Sequence, residues 1–186
     1  VYTCPDCDFE FLGHDPTSSL SRSNLDATRL AAAGLEIPDP HEDFERGRAQ
    51  SLPLLAEYLP SQCSNLDVLE VGCSWGYFLQ EARELGAGVA GVEIDALRRR
   101  FVSEQLGIDC FFDIAEAVQS GRTFDRIFLL YVLEYFPNPV DCLATLRKLL
   151  RLGGELVLIT PNRHDPLLEV WGNAGFAEFF YDEHSV

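Results

Sequence analysis

The stretch Leu66-Asp67-Val68-Leu69-Glu70-Val71-Gly72-Cys73-Ser74-Trp75-Gly76-Tyr77-Phe78-Leu79 limits what this chain can fold into more than any other. Its apolar, β-branched run (Val68, Leu69, Val71) reads as a buried parallel strand, Gly72 and Gly76 as a tight turn, and Tyr77-Phe78-Leu79 with Ala82 as the opening of a helix. A strand, a glycine loop and a helix in that order let a ligand approach bare backbone. Glycine has no Cβ to block it, and the N–H groups of the helix's first turn point outward.

Glycine spacing separates the ligands such a loop can serve. A dinucleotide fingerprint needs G-x-G-x-x-G, whereas only Gly72 and Gly76 are present, preceded by Glu70 at the strand's end. The pattern Glu70-x-Gly72-x-Ser74-x-Gly76 instead resembles the acidic-x-Gly-x-Gly-x-Gly loop of class I S-adenosylmethionine-dependent methyltransferases, with serine at the middle glycine. On this loop alone, a tight βα turn in some other α/β protein remains the alternative.

Later segments extend the resemblance. Gly88-Val89-Ala90-Gly91-Val92-Glu93-Ile94-Asp95 is a second short apolar strand ending in an acid, from which a carboxylate can accept ribose hydroxyls; Asp95 reads as a helix cap. Ile108-Asp109-Cys110-Phe111-Phe112 is a third strand running into Asp113-Ile114, with Asp113 open to a second reading as a helix N-cap. Phe124 to Pro139 supplies a fourth strand and the loop at its carboxyl end. Val140 to Leu152 has helical periodicity, Gly153-Gly154 stops it, and Glu155 to Asn162 is a fifth strand. This succession is similar to the fD-x-I, v-L-E-H, d-P, L-x-P-G-G and t-P-N segments of the same methyltransferases.

The resemblance implies an α/β, three-layer Rossmann-like fold with a mostly parallel sheet whose C-terminal strands lie partly beyond Val186. It implies S-adenosylmethionine as cofactor, held by Glu70, Gly72, Cys73, Ser74, Gly76, Glu93, Ile94, Asp113, Ile114 and Tyr131. Where the family often has Glu-His after the fourth strand, this chain has Glu134-Tyr135. Tyrosine, with an unperturbed pKa near 10, is a poor base at neutral pH. Either Tyr135 orients the acceptor, or Glu134, His164 or His184 takes the proton, or turnover is absent.

Composition bounds the partners. Lys plus Arg number 14 against 30 Asp plus Glu, a formal charge of −16, so the whole-protein field repels phosphate backbones and anionic lipid surfaces. Nucleic acid and membrane partners are not expected. No run is apolar enough to span a bilayer and no signal-peptide order begins the chain, so a cytoplasmic protein is expected.

The chain begins at Val1 and contains no methionine, which fits a fragment of a longer protein. Near that end, Cys4-Pro5-Asp6-Cys7 is a single C-x-x-C knuckle, half of the four-ligand set of a structural zinc site. Several methyltransferases similar to this chain, sugar methyltransferases among them, carry a small zinc module ahead of the core. That resemblance makes Cys4 and Cys7 its second half, with His14 as a weaker third ligand; a knuckle that binds nothing is the other reading. Cys63, Cys73, Cys110 and Cys142 sit singly and read as small apolar residues.

The expected division is a knuckle segment and linker or lid over 1–40, then a cofactor-binding core over 41–186 that starts with a helix from His41 to Leu59. After the fifth strand, either Ala174-Gly175-Phe176 begins a sixth strand or Phe179 to His184 forms a loop. An open sheet edge would favour a homodimer. Three functions follow: methyl transfer to a small molecule such as a sugar or another hydroxylated metabolite; a cofactor-binding module without turnover; and, last, a dinucleotide-dependent oxidoreductase.

Overall fold

The computed structural model describes residues 2–3, 10–11, 39–59, 63–160 and 162. Nearest the N-terminus, β1 (Tyr2–Thr3) pairs antiparallel with β2 (Glu10–Phe11), and helix α1 (Pro40–Tyr58) follows. Strands and helices then alternate: β3 (Asp67–Val71), α2 (Tyr77–Glu84), β4 (Gly88–Val92), α3 (Ala96–Arg100), β5 (Asp109–Phe111), α4 (Ile114–Gln119), β6 (Phe124–Leu130), α5 (Pro139–Leu146) and β7 (Leu150–Ile159). A single turn of wider π-helix, Phe101–Gln105, extends α3.

The five strands β3 to β7 form one sheet of order β5-β4-β3-β6-β7, with every neighbouring pair parallel. Parallel strands are buried on both faces, which is why β3 is apolar without alternation. Val68 points into a core with Phe78, Leu79, Ala82 and Phe128, while Leu69 and Val71 point into a second core with Ala117, Ile127, Leu129 and Leu146. The Phe78 and Phe128 rings stand 4.7 Å apart. Helices α2 and α4/α5 therefore cover opposite faces, giving three layers.

Helix α1 docks beside this sandwich. Phe44 joins Trp75 and Phe101 in a third apolar cluster, Gly47 lies against the Tyr77 ring, and Arg48 pairs with Glu81 and, at 3.4 Å, with Glu84. The helix expected over His41 to Leu59 matches this element closely.

One expectation is corrected. The helix read to Leu152 ends at Leu146, and β7 begins at Leu150, before the two glycines rather than after them. Phe124 N–H donates to Leu149 O (2.7 Å) and Leu150 pairs with Phe124, after which the register jumps so that Arg126 pairs with Glu155. Gly153 (φ +81) and Gly154 thus lie in an irregular stretch of strand, not at a helix stop. The readings on Cys4, Cys7, His14, His164, the 174–176 strand and the 179–184 loop lie outside the described residues.

Candidate functional site

In a parallel sheet every strand delivers its carboxyl end to the same edge, and ligands bind where the strand order reverses. Here β3 has β4 and β5 on one side and β6 and β7 on the other, so the loops after β3, β4, β5 and β6 meet at one edge. The loop after β3 is drawn tightly across β4: the Gly72 and Cys73 N–H groups both donate to Val92 O, at 2.8 and 3.1 Å. Gly72 (φ +75) and Gly76 (φ +77) are left-handed. A Cβ on Gly72 would stand 2.6 Å from Val132 Cγ2, and one on Gly76 2.9 Å from Val102 Cγ2. The loop after β6 is therefore packed directly on the glycine loop, bringing Tyr131 and the short 3₁₀ turn Leu133–Tyr135 beside it.

Glu93, at the end of β4, ties this arrangement together. Its Oε2 accepts the Ser74 N–H and its Oε1 the Asp95 N–H, both at 2.8 Å. Burial pushes the Glu93 carboxyl above its usual range, opposed by those two N–H groups and by Arg98. Glu70, on the neighbouring strand β3, is only 3% exposed, and its Oε2 has no hydrogen-bond partner among the described residues. Burial first, then the Glu93 carboxylate and the Cys110 thiol, hold the Glu70 carboxyl well above the ordinary carboxylate range. Burial also lifts the Tyr77 phenol to about 12, with Glu70 adding to it. A buried carboxyl oxygen without a hydrogen-bond partner among the described residues is suited to a ligand bearing positive charge.

Around this polar floor stand large apolar side chains turned to solvent: Ile94 (69% exposed), Phe112 (51%) and Tyr131 (46%). They lie just beyond the ends of β4, β5 and β6 respectively, and Tyr131 is itself left-handed (φ +54). Strained non-glycine residues of this kind gather at ligand sites. Arg99 braces two of the three, donating to Glu93 O (2.8 Å) and Ile94 O (3.1 Å) while its guanidinium lies 5.1 Å from the Phe112 ring centre. Phe112 and Arg99 are absent from the sequence-derived candidates. Phe112's position immediately before Asp113 is the one signal that pointed to it.

Two candidates play other parts as well. Ile114 is buried in the core formed by Leu69, Val71 and Ala117, so its side chain packs inward rather than lining the edge. Asp113 Oδ1 accepts the Glu116 N–H (2.8 Å) and caps α4, as Asp95 accepts the Arg98 N–H (2.8 Å) and caps α3. Glu134 and Tyr135 are both half-buried in the turn after β6. Among the described residues, no three His, Cys, Asp or Glu side chains are grouped to hold a metal ion.

A 3-2-1-4-5 parallel order, a glycine cradle and an acid ending the next strand define a class I methyltransferase fold. The chain matches the methyltransferase domain family over residues 43–185 and belongs to it. It is 35% identical over 113 residues to a ubiquinone biosynthesis O-methyltransferase of Roseobacter denitrificans, covering 56% of this chain and 45% of that protein. It is 36% identical over 110 residues to a tRNA U34 carboxymethyltransferase of Shewanella amazonensis, covering 54% of this chain and 33% of that one. The chain thus spans less than half the length of either relative. Among solved structures, Streptomyces venezuelae DesVI shares the fold with a TM-score of 0.53 and 20% identity, over 68% of this chain and 58% of that chain.

Proposed function

We propose that the chain binds S-adenosylmethionine at this edge and transfers its methyl group to a small hydroxylated acceptor, a sugar or a similar metabolite. The observation that carries the reading is the buried, partnerless Oε2 of Glu70 under the glycine cradle. S-adenosylmethionine, when bound, supplies an electrophilic methyl group on a positively charged sulfur. Glu70 would offset the positive charge of the ligand's amino-acid portion. Glu93 keeps a lone pair on each oxygen for the two ribose hydroxyls, beyond the N–H groups it already accepts. Ile94, Phe112 and Tyr131 would enclose the adenine, with Asp113 at its polar edge. Glu134 is proposed to take the acceptor's proton and Tyr135 to orient it, so that the protein's work is positioning plus one proton transfer.

The formal charge of −16 favours a small acceptor over a nucleic acid, despite the likeness to a tRNA-modifying enzyme, because the protein's field opposes a polyphosphate. The ubiquinone-pathway O-methyltransferase likeness favours a hydroxyl as the methylated group. Zinc stays a separate proposal for 1–40. Cys4 and Cys7 would supply two of the four ligands a structural site requires, so two more must come from elsewhere.

Parallel calorimetric titrations with S-adenosylmethionine, S-adenosylhomocysteine and NAD test the cofactor. Micromolar binding of the first two alone is expected, followed by S-adenosylhomocysteine production with a hydroxylated acceptor panel and none with tRNA. Binding without turnover on any acceptor would identify a binding module instead, and binding of NAD alone would overturn the reading.

A further inference from the structure

Behind the glycine loop, two cysteines 37 positions apart in sequence face each other: Cys73 Sγ and Cys110 Sγ are 3.7 Å apart. They meet because β4, which runs between β3 and β5, carries Gly91 at the crossing point. Gly91 pairs in register with Cys110, and a Cβ on it would lie 2.5 Å from Cys73 Sγ and 3.3 Å from Cys110 Sγ. Any other residue there would drive the thiols apart. Both are free thiols, Cys73 fully buried and Cys110 half-buried. Cys110, the more exposed of the two, belongs to the edge strand β5 and is one of the residues lining an open groove of about 610 Å³ with Ser103, Asp109 and Arg122.

We propose that Cys73 and Cys110 form a redox-active dithiol, oxidised by hydroperoxides to a disulfide that displaces the glycine loop. Cys110, on the groove, meets the oxidant first. Its thiolate attacks the O–O bond; an S–O bond forms, the O–O bond breaks, and the departing oxygen leaves as water or an alcohol, giving a sulfenic acid. The Cys73 sulfur then attacks the Cys110 sulfur, forming the S–S bond, and the sulfenic oxygen leaves with the Cys73 proton as water. Two thiols lose two electrons and the hydroperoxide gains them. The hydrogen bond to Cys110 and burial hold the Cys73 thiol well up, which suits it to the second step rather than the first.

Closure brings the sulfurs from 3.7 Å to about 2.05 Å, which a packed loop cannot absorb without moving. Cys73 is flanked by Gly72, bonded to Val92 O, and Ser74, bonded to Glu93, so its displacement strains both attachments. The effect on the cofactor rests on the methyltransferase reading above; the dithiol itself does not.

The test treats the full chain with hydrogen peroxide, alkylates the remaining thiols and maps peptides by mass spectrometry. A Cys73–Cys110 link lighter by two hydrogens, reversed by dithiothreitol, is expected. Emission from Trp75, two residues along the loop, should shift on oxidation and not in Cys110→Ser. Affinity for S-adenosylhomocysteine should fall at least about tenfold in the oxidised wild type and stay unchanged in treated Cys110→Ser. Oxidation that stops at a Cys110 sulfenic or sulfinic acid, or a link that leaves Trp75 emission unmoved, overturns the proposal. A link with shifted Trp75 emission in a reduced protein that never bound S-adenosylhomocysteine would uphold the dithiol and count against the cofactor reading.

Discussion

Glu93 Oε2 accepts the backbone N–H of Ser74 at 2.8 Å, so a carboxylate ending one strand fixes the middle of the loop that follows its neighbour. Ser74 sits at φ +50, a left-handed conformation that costs a residue with a Cβ about 1–2 kcal/mol. The bond from Glu93 helps to hold it there. The position where the family resemblance expects glycine therefore keeps glycine's backbone shape although its side chain is serine.

Ser74→Gly should accordingly relieve strain without altering the cradle. Against the relief stands the greater freedom of glycine in the unfolded chain, about 0.5–1 kcal/mol, so the net gain is at most about 1.5 kcal/mol. A melting temperature raised by up to roughly 3–6 °C, with cofactor affinity within a factor of about three, is the expected result. A lower melting temperature would show that the Ser74 hydroxyl itself holds the loop.

Glu93→Ala removes both the proposed ribose acceptor and the restraint on Ser74. Charge-assisted hydrogen bonds contribute about 1.5–3 kcal/mol each, so S-adenosylhomocysteine affinity should fall at least about tenfold. Glu93→Gln separates the two roles. Its amide can still accept one of the N–H groups from Ser74 and Asp95, so it should melt closer to wild type than Glu93→Ala while still binding weakly. Calorimetry with thermal denaturation decides this, and an unchanged dissociation constant in a folded Glu93→Ala removes Glu93 from the site.

These two residues also show how far the sequence could be read. The placement of Glu70, Gly72, Gly76 and Glu93 at one edge of the sheet was legible because each lies at or just beyond the carboxyl end of an apolar strand, and a parallel sheet brings those ends together. The boundary between α5 and β7 was not legible. Leu143, Leu146, Leu149 and Leu150 keep helical spacing, yet Leu150 belongs to the ladder with Phe124, and only that long-range pairing distinguishes the two. The inward packing of the Ile114 side chain was not legible for a related reason: whether a residue after a strand's end faces the cleft or the core depends on where the next helix packs. Phe112 and Arg99 left no periodic signal, because their contact joins two loops rather than repeating along one element.

Glu70 carries a pH prediction. Its carboxyl is raised in the folded chain, so the native state retains a proton that the unfolded chain releases near pH 4.3. The stability associated with the protonated form is complete below that pH and is lost as pH rises through the folded-state value. Glu70→Gln, permanently neutral, should be more stable than wild type at neutral pH and show a flatter stability profile above about pH 5. Cofactor binding should move the other way. A cationic ligand favours the carboxylate, so wild-type affinity should rise with pH while Glu70→Gln binds at least about tenfold more weakly with no such rise. Denaturant melts and titrations across the same pH range check both arms, and a variant that binds as tightly as wild type contradicts the assigned role.

The contact between Gly47 and Tyr77 makes the docking of α1 measurable. A Cβ on Gly47 would overlap the Tyr77 ring, with Cζ at 2.8 Å and two further ring carbons nearer still. Alanine would gain up to about 1 kcal/mol in helix propensity, but overpacking a well-filled contact costs about 1–3 kcal/mol, and α1 is already held by Arg48 on Glu81. Overlap therefore outweighs propensity, and Gly47→Ala should destabilise by about 1 kcal/mol. Tyr77→Leu removes the ring that the new methyl strikes, so in that background Gly47→Ala should become neutral or stabilising. A double-mutant cycle by denaturant unfolding measures the coupling directly. If the two substitutions simply add, the Gly47–Tyr77 contact does not set how closely α1 approaches α2.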